Sequence, residues 1–299
     1  MNSEFPGSTV TLADAVAHVE RRLRDADLDY GHGTDNARDE AAWLVLAAAG
    51  LSPVATADPA RTLAPEEWQS VERLLERRVV ERRPLAYLTG SAWFAGLEFA
   101  VDEHVLVPRS PMAEPIAERF APWLPDRPIE RILEIGTGSG CIAVACAMAF
   151  PEARIDATDI DDEALALARR NVGRHGVEER VALLAADVYR GLPAGRRYDL
   201  IVSNPPYVDA DGMAALSPEY RHEPAGALAA GADGLDVVAR IIDGAADRLT
   251  RDGLLVVEVG QDVTALERRY PRTPFIWLAL SAPEVGIFAL PARDLPVPG

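Results

Sequence analysis

The chain has 299 residues, enough for one large domain or two unequal ones. Its 48% hydrophobic and 26% charged residues are the proportions of a globular protein, and no apolar run approaches the ~20 residues that span a bilayer as a helix. A net charge of −17, with every one of the 30 basic residues an arginine, argues against a protein that tracks bare phosphate backbones and favours a basic protein partner.

Residues 1–11 lack a basic start leading into an apolar core, so no secretory leader is expected and the cytoplasm is the expected compartment. The two cysteines, Cys141 and Cys146, do not face each other at helical spacing, so no disulfide is expected. No Cys/His cluster suggests a metal site.

Residues 1–90 read as helical. Thr11 with Asp14 forms a capping-box variant before Val16, Val19 and Leu23, which recur at helical spacing. A second helix runs over 36–49 and stops at Gly50. Pro65 opens a third over 66–83, with Trp68, Val71, Leu74, Leu75 and Val79 apolar. Trp43 and Trp68 are expected in the core, and the Arg77-Arg78 and Arg82-Arg83 pairs on a solvated face. Residues 91–108 read as a linker: a hairpin over 92–99 turning at Gly96, then a short strand over 105–107.

From 109 to 299 helices and strands alternate. A helix is expected over 111–124, a strand over 131–135 and a helix to Phe150. Strands follow over 154–158, 181–185, 198–203 and 253–259, with helices over 162–175, 236–249 and 261–269. Segments 275–280 and 286–290 close the chain as a hairpin. This order predicts an α/β, doubly wound, mostly parallel sheet with one antiparallel strand at or near an edge, a Rossmann-like arrangement closer to a methyltransferase than to a dehydrogenase.

Chemistry concentrates at strand ends. Gly136-Thr137-Gly138-Ser139-Gly140 joins the first strand of this region to a helix, where glycines let backbone approach a ligand closely. Its GxGxG spacing differs from the dinucleotide GxGxxG and suits S-adenosylmethionine, which has no pyrophosphate; a tight turn with no ligand is the alternative. Asp159, about 20 residues on at the next strand end, is placed to accept ribose hydroxyl bonds. Asp187, after the third strand, is placed to accept from an adenine amino group. Ser203-Asn204-Pro205-Pro206-Tyr207 ends the fourth strand, at the switch point where open α/β sheets bind ligands.

That motif fits an acceptor amide. An amide nitrogen is a weak nucleophile because its lone pair is delocalised, so its N–H groups need acceptors that orient it. The Asn204 side-chain oxygen and the Pro205 carbonyl are the candidates, with prolines fixing the backbone and Tyr207 stacking on the flat amide. The Tyr207 ring is expected to matter more than its hydroxyl. Catalysis would then be positioning and electrostatics, with no general base evident.

The Asn-Pro-Pro-Tyr motif on this scaffold resembles the HemK/PrmC family of protein glutamine methyltransferases, nearer to the branch that modifies the third large-subunit ribosomal protein. The likeness spans nearly the whole chain: Gly31-His32-Gly33-Thr34-Asp35-Asn36, Ala86-Tyr87-Leu88-Thr89, Val105-Leu106-Val107-Pro108-Arg109-Ser110-Pro111, Tyr220-Arg221-His222-Glu223-Pro224 and Gly231-Ala232-Asp233-Gly234-Leu235-Asp236. It departs at Gly136, where that branch carries cysteine. The resemblance implies cofactor contacts at Gly136, Thr137, Gly138, Gly140, Asp159, Asp187 and Asn204. It implies glutamine contacts at Asn204, Pro205, Pro206 and Tyr207. Because the motifs for chemistry all lie after residue 130, residues 1–90 are expected to recognise the substrate. A basic ribosomal protein is the implied partner, with neither membrane nor nucleic acid as substrate. The rival readings are the same reaction on a release factor and a nucleic-acid amino methyltransferase. Glu223-Pro224 reads either as ordering the loop after the motif or as a surface turn, and Gly31–Asn36 as a substrate contact or a link between helices.

Overall fold

The computed structural model describes residues 10–53, 56–124, 127–260, 263–281 and 285–296. Contacts divide the chain into two compact units, one of residues 1–91 with 217–222, the other of 92–216 with 223–299. The return of 217–222 to the helical unit is not visible in any periodicity of the sequence.

The first unit is built from α1 (Leu12–Arg24), α2 (Ala37–Ala48), α3 (Pro65–Val80) and α4 (Leu85–Thr89). Thr11 and Asp14 form the expected capping box, and Asn36 caps α2 through Asp39 N–H at 2.9 Å. Proline at its first position opens α3. Val19, Leu23, Leu44, Val71 and Leu75 pack with no or almost no exposure, and Trp43 is buried with them. Trp68 is half-buried, set edge-on against His18 at 5.3 Å between ring centroids.

Arg78 departs from the expected solvated face. Val71, Leu75 and Arg78 lie three and four residues apart, so the guanidinium falls on the buried stripe of α3 at 1% exposure. It survives there because Glu40 accepts from Nε at 2.6 Å, Glu219 from Nη1 at 3.3 Å and the Asp29 carbonyl from Nη2 at 2.6 Å. Within the same unit, a Cβ on Gly31 would stand 2.1 Å from the Tyr220 hydroxyl, so a larger residue there would push the end of that side chain aside.

The second unit opens with β1 (Ser91–Phe94) and β2 (Leu97–Ala100), joined by Ala95 and Gly96, both at positive φ as a tight hairpin turn demands. Residues 105–107, expected as a strand, are irregular. The Val107 N–H is taken by the Glu223 carboxylate at 3.0 Å, so no neighbouring strand pairs with it. The helix expected over 111–124 shrinks to α5 (Ala113–Ala117). Arg119 and Phe120 adopt positive φ, and turns continue to 124.

Then come β3 (Arg131–Ile135), α6 (Cys141–Ala149), β4 (Arg154–Asp159), α7 (Asp162–Arg174), β5 (Val181–Ala185) and β6 (Tyr198–Ser203). They are followed by α8 (Ala210–Ala215), α9 (Asp236–Ala245), β7 (Leu249–Val259), α10 (Val263–Arg269), β8 (Ile276–Trp277) and β9 (Gly286–Pro291). Gln261, where the last helix was expected to start, lies outside the described residues.

Among the described residues β1 and β2 form a two-stranded sheet of their own, and the other strands form one sheet in the order β5-β4-β3-β6-β7-β9-β8. β5, β4, β3, β6 and β7 are parallel, while β9 runs antiparallel to β7 and to β8. The expected antiparallel strand is thus one place in from the edge, held by six paired positions of β7 that begin at Leu254 and end at Val259. Apolar layers cover both faces, one around Ile132, Ile142, Val144 and Leu200, the other around Leu133, Ile201, Val238 and Ile242. The order of β4, β3 and β6 brings the ends that carry the glycine turn, Asp159 and Asn204 side by side. No helix among the described residues is long and apolar enough to cross a membrane.

Candidate active site

Strand β3 ends at Ile135 and the glycine turn begins at once. Gly136, Gly138 and Gly140 all take positive φ, and a side chain on Gly136 would be strained at φ +73. The turn is fixed from both neighbouring strands. Thr137 N–H donates to the Thr158 carbonyl at 2.8 Å, and Gly138 N–H to Asp159 Oδ2 at 2.8 Å. From the other side Ser203 Oγ donates to the Ile135 carbonyl at 2.7 Å.

Asp159 therefore holds the loop. Its second oxygen accepts from Asp161 N–H at 3.1 Å. Burial pushes this carboxyl above its usual range against those backbone donors. Lone pairs remain on both oxygens for a further donor. Asp187, two residues beyond β5, accepts from Arg240 Nη2 at 2.6 Å and is partly exposed. Asn204 is half-buried directly after β6 and makes no side-chain hydrogen bond among the described residues. Pro205 is buried and Pro206 half-buried beside it. Val208 then anchors the segment, donating to the Leu228 carbonyl at 2.8 Å and accepting from Ala230 N–H at 2.9 Å.

The position of Tyr207 explains a glycine far along the chain. A Cβ on Gly234 would lie 2.5 Å from the Tyr207 carbonyl oxygen, closer than real atoms approach. Glu223 is no surface turn: its carboxylate is buried and receives Arg109 Nη1 at 2.5 Å and Nη2 at 2.7 Å in a two-pronged pair.

Two acids absent from the sequence reading stand out. Glu134 is 1% exposed at the end of β3. Thr137 Oγ1 donates to its Oε2 at 2.6 Å, while Oε1 is buried with no hydrogen-bond partner among the described residues. Burial, with a smaller contribution from the Asp159 charge, pushes its pKa up to about 8. Glu258 near the end of β7 is likewise pushed up by burial to about 7. Each interrupts an apolar strand just before its carboxyl end (Leu133-Glu134-Ile135, Val257-Glu258-Val259), and that interruption was the legible signal. Ile160, 75% exposed beside Asp159, is an apolar side chain with no core role. Cys141 is buried with its thiol pushed up to about 12, so it is not a poised nucleophile.

This fold, with a glycine turn and strand-end acids beside an Asn-Pro-Pro-Tyr segment, is that of a class I S-adenosylmethionine-dependent methyltransferase. Residues 117–217 match the methyltransferase small domain and residues 14–90 the PrmC N-terminal domain. The catalytic domain of hMettl16 in complex with MAT2A 3′UTR hairpin 6 shares the fold, with a TM-score of 0.50 at 16% identity over 80% of this chain and 87% of that one. The ribosomal protein uL3 glutamine methyltransferase of Bordetella pertussis is 48% identical over 90% of both chains. That of Burkholderia pseudomallei is 45% identical over 96% of both. That of Xanthomonas campestris is 46% identical over 95% of this chain and 92% of its own. The chain belongs to the ribosomal protein uL3 glutamine methyltransferase family.

Proposed function

We propose that this protein transfers a methyl group from S-adenosylmethionine to the side-chain amide nitrogen of a glutamine in ribosomal protein uL3. The observation that carries this reading is Asn204-Pro205-Pro206-Tyr207 at the carboxyl end of β6 in a chain so similar, over nearly its full length, to uL3 glutamine methyltransferases.

The residues fit the cofactor. The unpartnered Glu134 Oε1 beside the glycine turn suits an ammonium such as that of a methionine moiety. Asp159 suits ribose hydroxyls, Ile160 an adenine face, and Asp187 its amino group. Bound there, S-adenosylmethionine supplies an electrophilic methyl carbon. The chain's own part is orientation. The free Asn204 carbonyl oxygen accepts one amide N–H of the target glutamine, and the Pro205 carbonyl accepts the other. The rigid di-proline holds both acceptors in place, and the Tyr207 ring walls one face of the amide. Fixed acceptors favour pyramidal nitrogen and place its lone pair toward the methyl carbon. The helical unit of residues 1–90, which lacks every one of these groups, is assigned to protein-substrate recognition. The strongly acidic chain suits a basic substrate made in the cytoplasm.

The test is incubation of the purified protein with labelled methyl donor and separated ribosomal proteins, release factors and ribosomal RNA. Label is expected on one glutamine of uL3 alone. Label on a release factor or on RNA, with uL3 unlabelled, would overturn the assignment.

A further inference from the structure

Glu258 is the penultimate residue of β7 and the one acid in the run Leu254–Val259. Its side chain is 2% exposed and two hydroxyls converge on it. Ser110 Oγ donates to Oε2, and the Tyr207 hydroxyl donates to Oε1 at 3.2 Å. Ser110 Oγ in turn accepts from Met112 N–H at 3.1 Å, which leaves its own hydrogen for the carboxylate. Arg109 adds attraction, its guanidinium paired with Glu223. On β9 the residue paired with Glu258 is Ile287, which is apolar.

Tyr207 lies against two glycines that leave room for it: a Cβ on Gly234 would come within 2.5 Å of its carbonyl oxygen, and one on Gly260 within 3.1 Å of its ring Cδ2. Its hydroxyl donates to Glu258 Oε1. The bond to Glu258 thus holds the far end of the phenol.

We propose that Glu258 is a positioning residue for methyl transfer: its carboxylate, fixed by Ser110, holds the Tyr207 ring in the plane against which the acceptor amide lies. The proposal rests on the reading of Tyr207 as a wall of the glutamine site. An ionised carboxylate accepts from both hydroxyls through strong charge-assisted bonds, whereas the protonated acid must turn one oxygen into a donor and loses part of the grip. Burial raises the Glu258 pKa to about 7, against the pull of Ser110, Tyr207 and Arg109, so the grip changes strength near neutrality.

The experiment uses the full chain with E258Q, S110A and Y207F. The ring-carbon resonance of Tyr207 in carbon-13 tyrosine-labelled protein, assigned by its loss in Y207F, reports the hydroxyl's environment. It is expected to titrate with a midpoint at about 7 in the unmodified protein and not at all in E258Q. The single-turnover rate of uL3 methylation is expected to rise with pH over the same interval. E258Q is expected to lower that rate about tenfold and flatten its pH dependence, the scale of one charge-assisted hydrogen bond, with cofactor affinity by calorimetry changed less than about twofold. S110A removes a bond that favours the ionised form, so its midpoint is expected to move to higher pH. A Tyr207 resonance that titrates identically in E258Q, or E258Q turnover at the unmodified rate and pH profile, overturns the proposal. Failure of the unmodified protein to label uL3 would instead remove the functional reading, and the resonance would still decide whether Glu258 holds the ring.

Discussion

Acids are buried toward both ends of the sheet, and they are treated differently. At the amino-terminal side, Asp199 of β6 receives Arg127 Nη2 at 2.6 Å and the backbone N–H groups of Glu130 and Arg131 at 2.9 and 3.1 Å. Asp156 of β4 receives Arg196 Nη1 and the Tyr198 hydroxyl, both at 2.7 Å. At the carboxyl side, Glu134, Asp159 and Glu258 receive hydroxyls and backbone N–H groups, and among the described residues none of the three has an arginine hydrogen bond. The electrostatic outcome follows. Desolvation works against the charge of Asp199, yet its arginine and backbone donors outweigh it and hold the carboxyl below its usual range. Desolvation wins at Glu134, Asp159 and Glu258, which are all raised. On the proposed reading, an acid that ties strands together is compensated by the chain itself, and an acid kept for a ligand or a reactive segment is left under-compensated. In the helical unit Arg78 sits between Glu40 and Glu219 with a mixed outcome: desolvation raises Glu40 in spite of its arginine, while the hydrogen bonds of Glu219 to Arg82, Arg78 and backbone outweigh desolvation and hold it low.

The largest effect that would sharpen this contrast is at Asn204, whose side chain makes no hydrogen bond among the described residues. Asn204→Ala is expected to lower single-turnover methylation of uL3 by about 10²–10³, the usual cost of one lost transition-state donor or acceptor, with no fall in unfolding free energy. Near-normal turnover in this variant would remove the amide-holding role. At the opposite end, Asp199→Ala strips two backbone N–H groups and Arg127 of their acceptor. It is expected to lower stability by about 1–3 kcal/mol in urea titration while leaving cofactor affinity in place. A variant that kept full stability but lost cofactor would reverse the assignment of the two ends.

Glu134 gives the smaller and more diagnostic change. Its pKa is raised in the folded protein to about 8, so the fold binds a proton that the unfolded chain releases. Its contribution to stability is complete below the unfolded pKa, about 4.5, and is lost as pH rises to about 8. Glu134→Gln carries no such loss. The ligand-free variant is therefore expected to melt at a higher temperature than the unmodified protein at pH 8 and to lose that advantage by pH 5. It is also expected to bind S-adenosylmethionine more weakly, since the group aimed at the ligand is no longer an acid. Equal melting temperatures at both pH values would show that Glu134 is compensated after all and break the comparison between the two ends.

Local pattern made much of this legible. Helical spacing with caps located α1, α2 and α3, and the alternation of apolar runs with helices located the parallel strands. A run is apolar because a strand covered on both faces must be, and that signal survives without tertiary information. The glycine turn and Asn-Pro-Pro-Tyr were visible because backbone constraints of that kind are written in residue type. Failures came where a distant group competed for the backbone. Glu223 takes the Val107 N–H that a strand would have used, and positive φ at Arg119 and Phe120 ends a helix whose composition favoured continuation.

The sequence by itself thus determined the order of elements, the fold class, the family and the segments where chemistry sits, since these depend on periodicity and on a few residue types with fixed conformational meaning. Only the tertiary structure decided which charges are buried and with whom. Arg78 looked like one of four surface arginines until packing turned it onto the stripe of Val71 and Leu75. Gly234 carried only a family likeness and Glu258 no assigned role until the fold brought both against Tyr207. Desolvation and hydrogen bonding act over a few ångströms of space, and residues 51 or 148 positions apart in the chain reach that distance only after the strands have paired.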